Sequence, residues 1–284
     1  MGNCLKKAVW FIYTVAVKER TGVKMKDIAI VTGASSGIGK AYVRLLSEDK
    51  SSWEQIWVVA RREDKLNELK SDLKDDRIVP VVLDLGESSA VSDIASRLSS
   101  DEYNVKLLIN CAGLGKRALV EEQSVEALGA TLDVNCRALT LLTRACIPHM
   151  KSGSGIVNVA SSAAFLPQPG FTVYAASKSY VTSFSRALNV ELKSSGIAVT
   201  AVCPGPVNTE FQVNATDGKS SEFTGFRKFI VADPDKLAAA SLKAHTSGRC
   251  LYVYGISQKL LHVVSKIVPI SLMLMFMKVD KEKN

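Results

Sequence analysis

Residues 27–39 read DIAIVTGASSGIG, and this stretch decides the fold of the chain. Residues 28–31 form a short apolar run of the kind found in buried strands, and Gly33, Gly37 and Gly39 follow it directly. Because glycine has no Cβ atom, such a turn lets a pyrophosphate approach the N-terminus of the next helix. A glycine-rich turn is a weak signal alone, so the prediction of a dinucleotide site depends on its partners elsewhere in the chain.

The strand–helix pattern repeats from Asp27 onwards, with short apolar runs between longer amphipathic segments. The runs are apolar throughout, as in strands that helices cover on both faces. With right-handed crossovers, this predicts an α/β fold: a Rossmann-type doubly wound parallel sheet of about seven strands, in three layers. The longest helices are expected near 121–151 and 171–195, and the strands near 27–32, 54–60, 78–84, 105–110, 155–160, 197–203 and 250–254.

The net charge of +8 is concentrated at the two ends of the 284-residue chain. Residues 1–26 carry six Lys/Arg against one Glu, residues 259–284 carry five Lys against two acids, and residues 27–258 are formally neutral. A nucleic-acid binder would carry a basic stripe on its folded body. We therefore predict a basic apolar N-terminal extension (1–26), a dinucleotide-binding catalytic domain (27–258) and a basic amphipathic tail (259–284), with no nucleic-acid partner.

The cysteines and the N-terminal segment bear on the compartment. Cysteines 4, 111, 136, 146, 203 and 250 form no CxxC pair and have no histidine at ligand spacing, which predicts reduced thiols and no metal site. Residues 8–17 resemble a signal peptide but lack a small-residue cleavage site, and translation from Met25 is an alternative start. We predict a cytoplasmic protein, peripheral at a membrane surface. The three histidines, His149, His245 and His262, are interpreted as structural or surface groups.

Tyr174 and Lys178 are four residues apart, which places them on one face of a helix. The ammonium is expected to lower the pKa of the phenol from about 10 towards working pH. A tuned proton donor beside a dinucleotide indicates hydride transfer to or from a carbonyl or alcohol. Ser161, thirteen residues before Tyr174, is placed to hydrogen-bond the same substrate oxygen.

Arg61 and Arg62 end the second predicted strand, where an acid would bind the 2′-hydroxyl of NAD(H). Arginine instead suits a 2′-phosphate, so we predict NADP(H). The alternative is that both arginines are solvated first residues of the next helix.

These motifs together resemble the classical short-chain dehydrogenase/reductase family over about residues 27–255. The matching positions are Thr32, Gly33, Gly37 and Gly39 of the glycine turn, Asp84 in LDL, Asn110–Gly113 in place of NNAG, Asn135, Ser161, Tyr174, Lys178, and Pro204, Gly205 and Thr209. Cys111 replaces the second asparagine of NNAG, and only the interval to Tyr174 selects Ser161 over Ser162. No basic residue precedes Gly37, so Arg61 must carry the NADP preference.

The resemblance implies a role for each residue. Tyr174 acts as general acid or base, Lys178 tunes it and holds the nicotinamide ribose, and Asn135 shapes a helix so that a water links Lys178 to solvent. The catalytic set is then Asn135, Ser161, Tyr174 and Lys178. The cofactor set is Gly33, Ser35, Ser36, Gly37, Ile38, Gly39, Arg61, Arg62, Asp84, Leu85, Asn110, Ala112, Gly113, Tyr174, Lys178, Pro204, Gly205, Val207 and Thr209.

The predicted substrate loops are chiefly apolar: 114–115, 165–167, 170–171 and 206–207. They predict a lipophilic ketone or secondary alcohol as substrate. The segment 206–232, with Phe211, Phe223, Phe226 and Phe229, is interpreted as a lid or as aromatic packing on the core. Lys116, Arg117, Arg227 and Lys228 are expected further out, as solvated surface or contacts to a phosphate.

Residues 259–278, KLLHVVSKIVPISLMLMFMK, are apolar but interrupted by Lys266 and Pro269, which disfavours a transmembrane helix. They are interpreted as a membrane-surface helix or as a dimer or core contact. Similar tails occur in relatives resembling hydroxysteroid dehydrogenases and long-chain 3-ketoacyl reductases.

The sequence thus predicts an NADP(H)-dependent ketone–alcohol oxidoreductase, with a homo-oligomer implied by the family. One alternative is a 3-oxoacyl thioester reductase, acting on acyl-carrier or CoA substrates. A non-catalytic nucleotide-binding protein is a third interpretation, although such a protein has no physical need for all four catalytic residues.

Overall fold

The computed structural model describes residues 25–100, 103–216 and 231–277, and within them one parallel sheet. Its strands are β1 (Lys26–Thr32), β2 (Gln55–Ala60), β3 (Ile78–Val82), β4 (Tyr103–Asn110), β5 (Gly155–Val159), β6 (Ala198–Cys203) and β7 (Leu251–Val253). They are ordered β3-β2-β1-β4-β5-β6-β7. The predicted Rossmann-type fold is confirmed, and every strand boundary lies within two residues of its predicted position.

Helices connect the strands and cover both faces of the sheet. They are α1 (Gly37–Glu48), α2 (Glu63–Leu73), α3 (Ser89–Ser100), α4 (Val125–Leu132), α5 (Leu139–Cys146), α6 (Thr172–Glu191), α7 (Glu210–Ala215), α8 (Pro234–Thr246), α9 (Ile256–Ile267) and α10 (Ile270–Met275). The strand order reverses between β1 and β4, and this reversal opens a crevice at the carboxyl ends of the strands.

Alternate residues of β1 belong to different cores. Ala29 and Val31 join one cluster, with Tyr42 and Leu66, whereas Ile28 and Ile30 join another. Successive strand side chains point to opposite faces of a sheet. Both faces are therefore buried, which explains why the strand sequences are apolar throughout rather than alternating.

The helix predicted near 121–151 is divided by a π-helical segment, Asp133–Ala138, between α4 and α5. Asn135 lies in this segment and is fully buried, with its side-chain amide hydrogen-bonded away from its own helix. Short π-helical segments inside α-helices often occur at functional sites. The second long helix, α6, agrees with the prediction, apart from a short 3-10 turn at Lys193–Ser195 that ends it.

The ends of β4 and β5 are joined by buried side-chain amides. Asn110 donates its Nδ2 hydrogens to Asn158 Oδ1 at 2.8 Å and to Thr143 Oγ1 at 3.0 Å. Asn158 in turn donates to Ser185 Oγ on α6, at 2.9 Å. Because buried polar groups are costly unless they are paired, this chain of hydrogen bonds fixes α5 and α6 against the strand ends.

The C-terminal helix α9 packs against β7 and against the 3-10 turn Ser162–Phe165. Its contact with this turn includes His262, whose ring lies 4.3 Å from that of Phe165. Within residues 25–100, 103–216 and 231–277, no helix has the length and apolar character needed to cross a bilayer.

Candidate active site

A cavity of about 830 Å³ opens at the carboxyl edge of the sheet. It is bordered by the segments that follow β1 to β6, so residues far apart in sequence share one wall. Every predicted cofactor and catalytic residue borders it except Asn110 and Asn135. These two lie behind the wall, and neither is more than 3% exposed.

The glycine turn fits closely against the end of β4. Gly33 and Gly37 have positive φ angles of 68° and 53°. A Cβ atom on Gly33 would lie 2.9 Å from the backbone nitrogen of Ala112, and one on Gly37 would lie 2.7 Å from Thr209 Cγ2. Both the backbone angle and the available space therefore require glycine.

The hydroxyl of Thr32 links the turn to the NCAG segment. Its Oγ1 accepts hydrogen bonds from the backbone N–H groups of Cys111 and Ala112, both at 3.0 Å. At the start of α1, Ser36 makes no side-chain capping hydrogen bond, so the N-terminal N–H groups of this helix have no side-chain cap and suit an anionic group. The turn thus fits the pyrophosphate of a dinucleotide.

Arg61 and Arg62 border the same end of the cavity, each beside a carboxylate. Arg61 Nη1 lies 3.6 Å from Asp84 Oδ2. Arg62 Nη2 lies 2.9 Å from Glu210 Oε2 and donates to Ser35 Oγ at 3.1 Å. Two guanidinium groups beside the glycine turn suit a phosphate on the adenosine side of a dinucleotide.

Tyr174 and Lys178 lie one turn apart on α6 and border the same cavity. The buried ammonium of Lys178 donates to the carbonyl of Val159 at 2.8 Å and lies 5.7 Å from the centroid of the Tyr174 ring. Gly113 contributes to this arrangement, because a Cβ atom there would lie 3.3 Å from Lys178 Nζ. The NCAG segment therefore contacts the lysine directly.

The pKa values of these two groups differ from the sequence-based expectation. Burial raises the pKa of Tyr174 to about 12, against the opposite effects of a hydrogen bond with Ser161 and of the Arg117 charge. Burial also lowers the pKa of Lys178 to about 8. The expectation that Lys178 brings the pKa of the phenol down is wrong for this arrangement, because desolvation dominates both groups and the ammonium donates to Val159 instead.

Asn135 does not border the cavity itself but holds the loop after β4, which does. Its Oδ1 accepts from the Leu114 N–H at 2.8 Å, and its Nδ2 donates to the Leu114 carbonyl at 2.8 Å and to Ser177 Oγ at 2.9 Å. The Asn135 side chain thereby pairs both backbone polar groups of Leu114, as a neighbouring strand would. Asn135 thus joins the π-helical segment, α6 and the loop beside Tyr174.

The prediction that Asn110 contacts the cofactor is not supported by its position. Its side chain is buried and its amide is committed to Thr143 and Asn158. The reason is that β4 is a central strand, so its last side chain points into a helix-covered layer. Asn110 acts through the strand ends that it joins.

The predicted substrate loops are divided by the structure. Leu114, Gly115, Phe171, Pro206 and Val207 border the cavity. The segment 165–167 and Gly170 do not, because the ring of Phe165 turns towards α9.

Aromatic rings form the wall around the Tyr174 phenol. Phe171 stacks on Tyr174, with centroids 4.2 Å apart and an interplanar angle of 20°. Phe211, on α7, lies 5.3 Å from Tyr174 on centroids. Of the segment interpreted as a lid, Phe211 thus belongs to the site, whereas Phe223, Phe226, Arg227, Lys228 and Phe229 lie outside the described residues.

Arg117 lies closer to the site than predicted. Its guanidinium carbon is 4.6 Å from the centroid of the Phe171 ring. From the sequence it is expected further out, as solvated surface or as a contact to a phosphate. Nothing in the sequence shows that the loop turns back over the aromatic wall.

Gln258 and Leu261 of α9 also border the cavity, although no motif marks them. A Cβ atom on Gly205 would lie 2.6 Å from Gln258 Nε2, so α9 packs directly against the PG turn. A C-terminal helix can be placed at this edge only through its tertiary packing.

The cysteines and histidines of the described residues have structural surroundings. Burial raises the pKa of Cys111 to about 12, so its thiol is neutral beside the cavity. Burial lowers the pKa of His245 to about 4, and its Nδ1 pairs with Thr200 Oγ1 at 2.8 Å. No cluster of three or more His, Cys, Asp or Glu side chains that could hold a metal occurs in the part of the chain that the structure describes.

Known proteins resemble this chain in sequence and structure. Residues 27–220 match the family described as short chain dehydrogenase. Sulfoacetaldehyde reductase 2 from Chromohalobacter salexigens is 36% identical over 68% of this chain and 78% of that protein. NADP-dependent 3-hydroxy acid dehydrogenase YdfG from Escherichia coli K12 is 29% identical over 81% and 96%. A short-chain dehydrogenase from Sphingobium yanoikuyae in complex with NADPH has a TM-score of 0.71 at 25% identity, covering 91% of this chain and 99% of that one.

The burial of Lys178 predicts an unusually low pKa for one lysine side chain. We expect one lysine with a pKa near 8 in an NMR titration of isotope-labelled lysine side chains, because burial disfavours the charged form of Lys178. The unfolded chain keeps this proton up to about 10.5, so the free energy of unfolding should rise with pH between about 8 and 10.5.

Lys178→Met should remove this resonance, whereas Lys151→Met, at an exposed position, should leave it in place. Titration of every lysine near pH 10.5 in the folded protein would contradict the assignment.

Proposed function

The chain belongs to the short-chain dehydrogenase family, and we propose that it is an NADP(H)-dependent oxidoreductase that interconverts a ketone and a secondary alcohol on a lipophilic substrate. The observation that carries this proposal is the convergence of Ser161, Tyr174 and Lys178 on the same cavity that the glycine turn, Arg61 and Arg62 border. The names of the two sequence relatives, for sulfoacetaldehyde and for 3-hydroxy acids, support carbonyl–alcohol chemistry.

The residues that would hold the cofactor are those that line the cavity. Ser35, Ser36 and Ile38 of the glycine turn would hold the pyrophosphate, and Arg61 with Arg62 would hold the 2′-phosphate. Bound in this way, the nicotinamide supplies or accepts the hydride. The remaining positions are Asp84 and Leu85 on the adenine side, and Ala112, Gly113, Pro204, Gly205, Val207, Thr209 and Lys178 on the nicotinamide side.

Tyr174 is suited to donate a proton to the carbonyl oxygen during reduction. A pKa of about 12 keeps the phenol protonated at neutral pH, as a general acid must be. Ser161, whose side chain is close enough to lower the pKa of Tyr174, would donate to the same oxygen and stabilise the charge that grows on it. In the oxidative direction Tyr174 would remove the hydroxyl proton.

Lys178 and Asn135 would support this proton transfer from behind the phenol. With a pKa of about 8, Lys178 is mostly charged at neutral pH, so an anion forming at Tyr174 has a cation beside it. Asn135 would act as a positioning residue, because it holds Leu114 and Ser177, and through the π-helical segment it would leave a path for water to Lys178.

The lipophilic substrate is inferred from the walls beside Tyr174. Leu114, Phe171, Pro206, Val207 and Phe211 border this part of the cavity, and apolar walls favour an apolar substrate body. We include in this proposal that the enzyme resembles hydroxysteroid dehydrogenases or long-chain 3-ketoacyl reductases. A panel of steroids, acyl thioesters and simple ketones, read by NADPH oxidation, separates these subtypes.

A membrane contact is proposed for the tail, from the outer face of α9. Ile256, Leu260, Val263 and Ile267 recur every third or fourth residue, and each is between 51% and 86% exposed. This spacing places them in one stripe, and an exposed stripe of this size marks an interaction surface.

The charge beside the stripe favours an anionic lipid surface as its partner. Lys259 and Lys266 flank it, and residues 255–277 contain no Asp or Glu. Basic residues beside an apolar face are typical of helices that lie on anionic membranes. Pairing of two copies through this face would instead bring lysines together without an acid to balance them.

Homo-oligomer formation is proposed through a different surface, the long helices. Leu132 and Leu141 on α4 and α5, and Val190 on α6, are exposed apolar side chains of 48%, 44% and 72% exposure. Their position on adjoining helices suits an isologous contact.

Tyr174→Phe should abolish NADPH oxidation with any ketone that the wild type reduces, because it removes the acid and leaves the ring packing intact. The loss should be at least about a hundredfold in kcat, with NADPH binding retained. Tyr180→Phe is the matched control, since Tyr180 lies on the same helix and its hydroxyl bonds Thr140 at 2.7 Å. Comparable activity in both variants would refute the role of Tyr174.

Arg61→Asp should invert the ratio of kcat/KM for NADPH over NADH, because a carboxylate repels the 2′-phosphate and accepts from a 2′-hydroxyl. Arg44→Asp, which makes the same charge change on α1 away from the cavity, should leave the ratio as in the wild type. An unchanged ratio in Arg61→Asp would refute the assignment of Arg61 to the 2′-phosphate.

Replacing Leu260 and Ile267 with serine should abolish flotation with vesicles of phosphatidylcholine and phosphatidylserine, because the stripe loses its apolar centre. The matched control replaces Val120 and Val125, which are 47% and 79% exposed elsewhere, and should still float. Failure of the wild type to float, or a change only in molar mass by light scattering, would contradict the membrane contact.

A further inference from the structure

We infer that Arg117 binds an anionic group of the substrate, so that the preferred substrate is a carbonyl compound carrying a carboxylate, sulfonate or phosphate close to its reacting carbon. This inference rests on the proposed carbonyl–alcohol activity and adds the charge of the substrate to it. Its evidence is the placement of one cation on the aromatic wall beside Tyr174.

The backbone of residues 113–117 is fixed over the site. A Cβ atom on Gly115 would lie 2.5 Å from Tyr174 Cδ2, so the chain passes directly against the catalytic ring at this position. Two residues later, the N–H of Arg117 donates to the carbonyl of Ala215 at 2.8 Å. The backbone that carries Arg117 is therefore held against the Tyr174 ring at Gly115 and against the end of α7 at Arg117 itself.

Stacking then fixes the guanidinium. It lies 4.6 Å from the centroid of Phe171, and Phe171 stacks on Tyr174 at 4.2 Å. Phe171 is only 5% exposed, so packing fixes the position of its ring. The cation consequently lies one ring beyond the phenol, near enough for its charge to act on the pKa of Tyr174.

The charge of Arg117 is not balanced by a carboxylate within the described part of the chain. Arg61, Arg62 and Arg137 each have an acidic side chain within 4.0 Å, namely Asp84, Glu210 and Asp133. No such ion pair forms at Arg117 among residues 25–100, 103–216 and 231–277.

A contact between a guanidinium and an aromatic ring does not use the N–H groups as donors to an oxygen acceptor. Such an arginine can still donate two parallel hydrogen bonds to a carboxylate, sulfonate or phosphate. Arg117 is exposed and borders the cavity, so such a group can reach it.

The geometry sets the size of the ligand as well as its charge. The phenol of Tyr174 marks the carbonyl end, and the guanidinium marks the anionic end, one stacked ring away. Phe171 and Phe211 line the space around the phenol. A substrate with its acidic group a few bonds from the carbonyl, and an apolar remainder, satisfies all three features.

The test compares acetoacetate with its methyl ester, which differ in charge but share the reacting ketone. With NADPH, the wild type should show a kcat/KM for the acid at least about tenfold above that for the ester, as one charge-assisted bidentate contact allows. Arg117→Gln should lower kcat/KM for the acid at least about tenfold more than it lowers kcat/KM for the ester. Arg117→Lys should recover part of the loss.

Arg44→Gln is the matched control, because it removes one arginine charge from α1, where Arg44 pairs with Asp235. It should leave the preference for the acid intact. Equal turnover of acid and ester by the wild type, or an equal loss for both substrates in Arg117→Gln, would overturn the inference while the proposed carbonyl reduction stands.

If neither ketone is reduced, the proposed function fails for this substrate class, and calorimetry with propanesulfonate in the presence of NADP⁺ decides the anion site separately. Arg117→Gln should then bind the sulfonate about tenfold more weakly than the wild type. Equal affinity in the two proteins would refute an anion-binding role for Arg117.

Discussion

The fit of the glycine turn against the end of β4 is the constraint on which the rest of the site depends. Gly33 leaves no space for a Cβ atom beside Ala112, and Thr32 binds the N–H groups of that same segment. A side chain at Gly33 would separate the two strand ends. Their apposition gives the cavity its floor, holds Gly113 against Lys178, and places a dinucleotide-shaped cleft beside the helix that carries Tyr174.

Burial, rather than charge pairing, decides the protonation states of Tyr174 and Lys178. Tyr174 and Lys178 are both removed from water, so each is pushed towards its neutral form. At neutral pH the phenol keeps its proton and the ammonium keeps most of its charge. That combination suits a proton donor in the reductive direction, with a cation behind it to stabilise the anion that proton transfer leaves. The hydrogen bonds of Asn135 and Asn110 hold this arrangement from outside the cavity.

Two surfaces extend the site beyond the Ser161, Tyr174 and Lys178 group. Arg117 places a cation on the aromatic wall, and α9 borders the cavity with Gln258 and Leu261 while it exposes an apolar stripe on its outer face. The proposals for these two surfaces are compatible, because an amphiphilic substrate with an acidic end partitions to a lipid–water interface. The same helix would then connect the active-site wall to the surface from which such a substrate arrives.

The sequence by itself determined the sheet, the glycine turn and the spacing of Ser161, Tyr174 and Lys178, because each of these depends on local chemistry. Apolar runs predict strands buried on both faces, positive φ angles require glycine, and a four-residue interval fixes a helix face. Only the tertiary structure decided the pKa of Tyr174, the burial of Asn110 behind the wall, the return of Arg117 over Phe171, and the packing of α9 against the PG turn. These depend on desolvation and on contacts between segments distant in the chain, and no pattern in neighbouring residues records which segments meet.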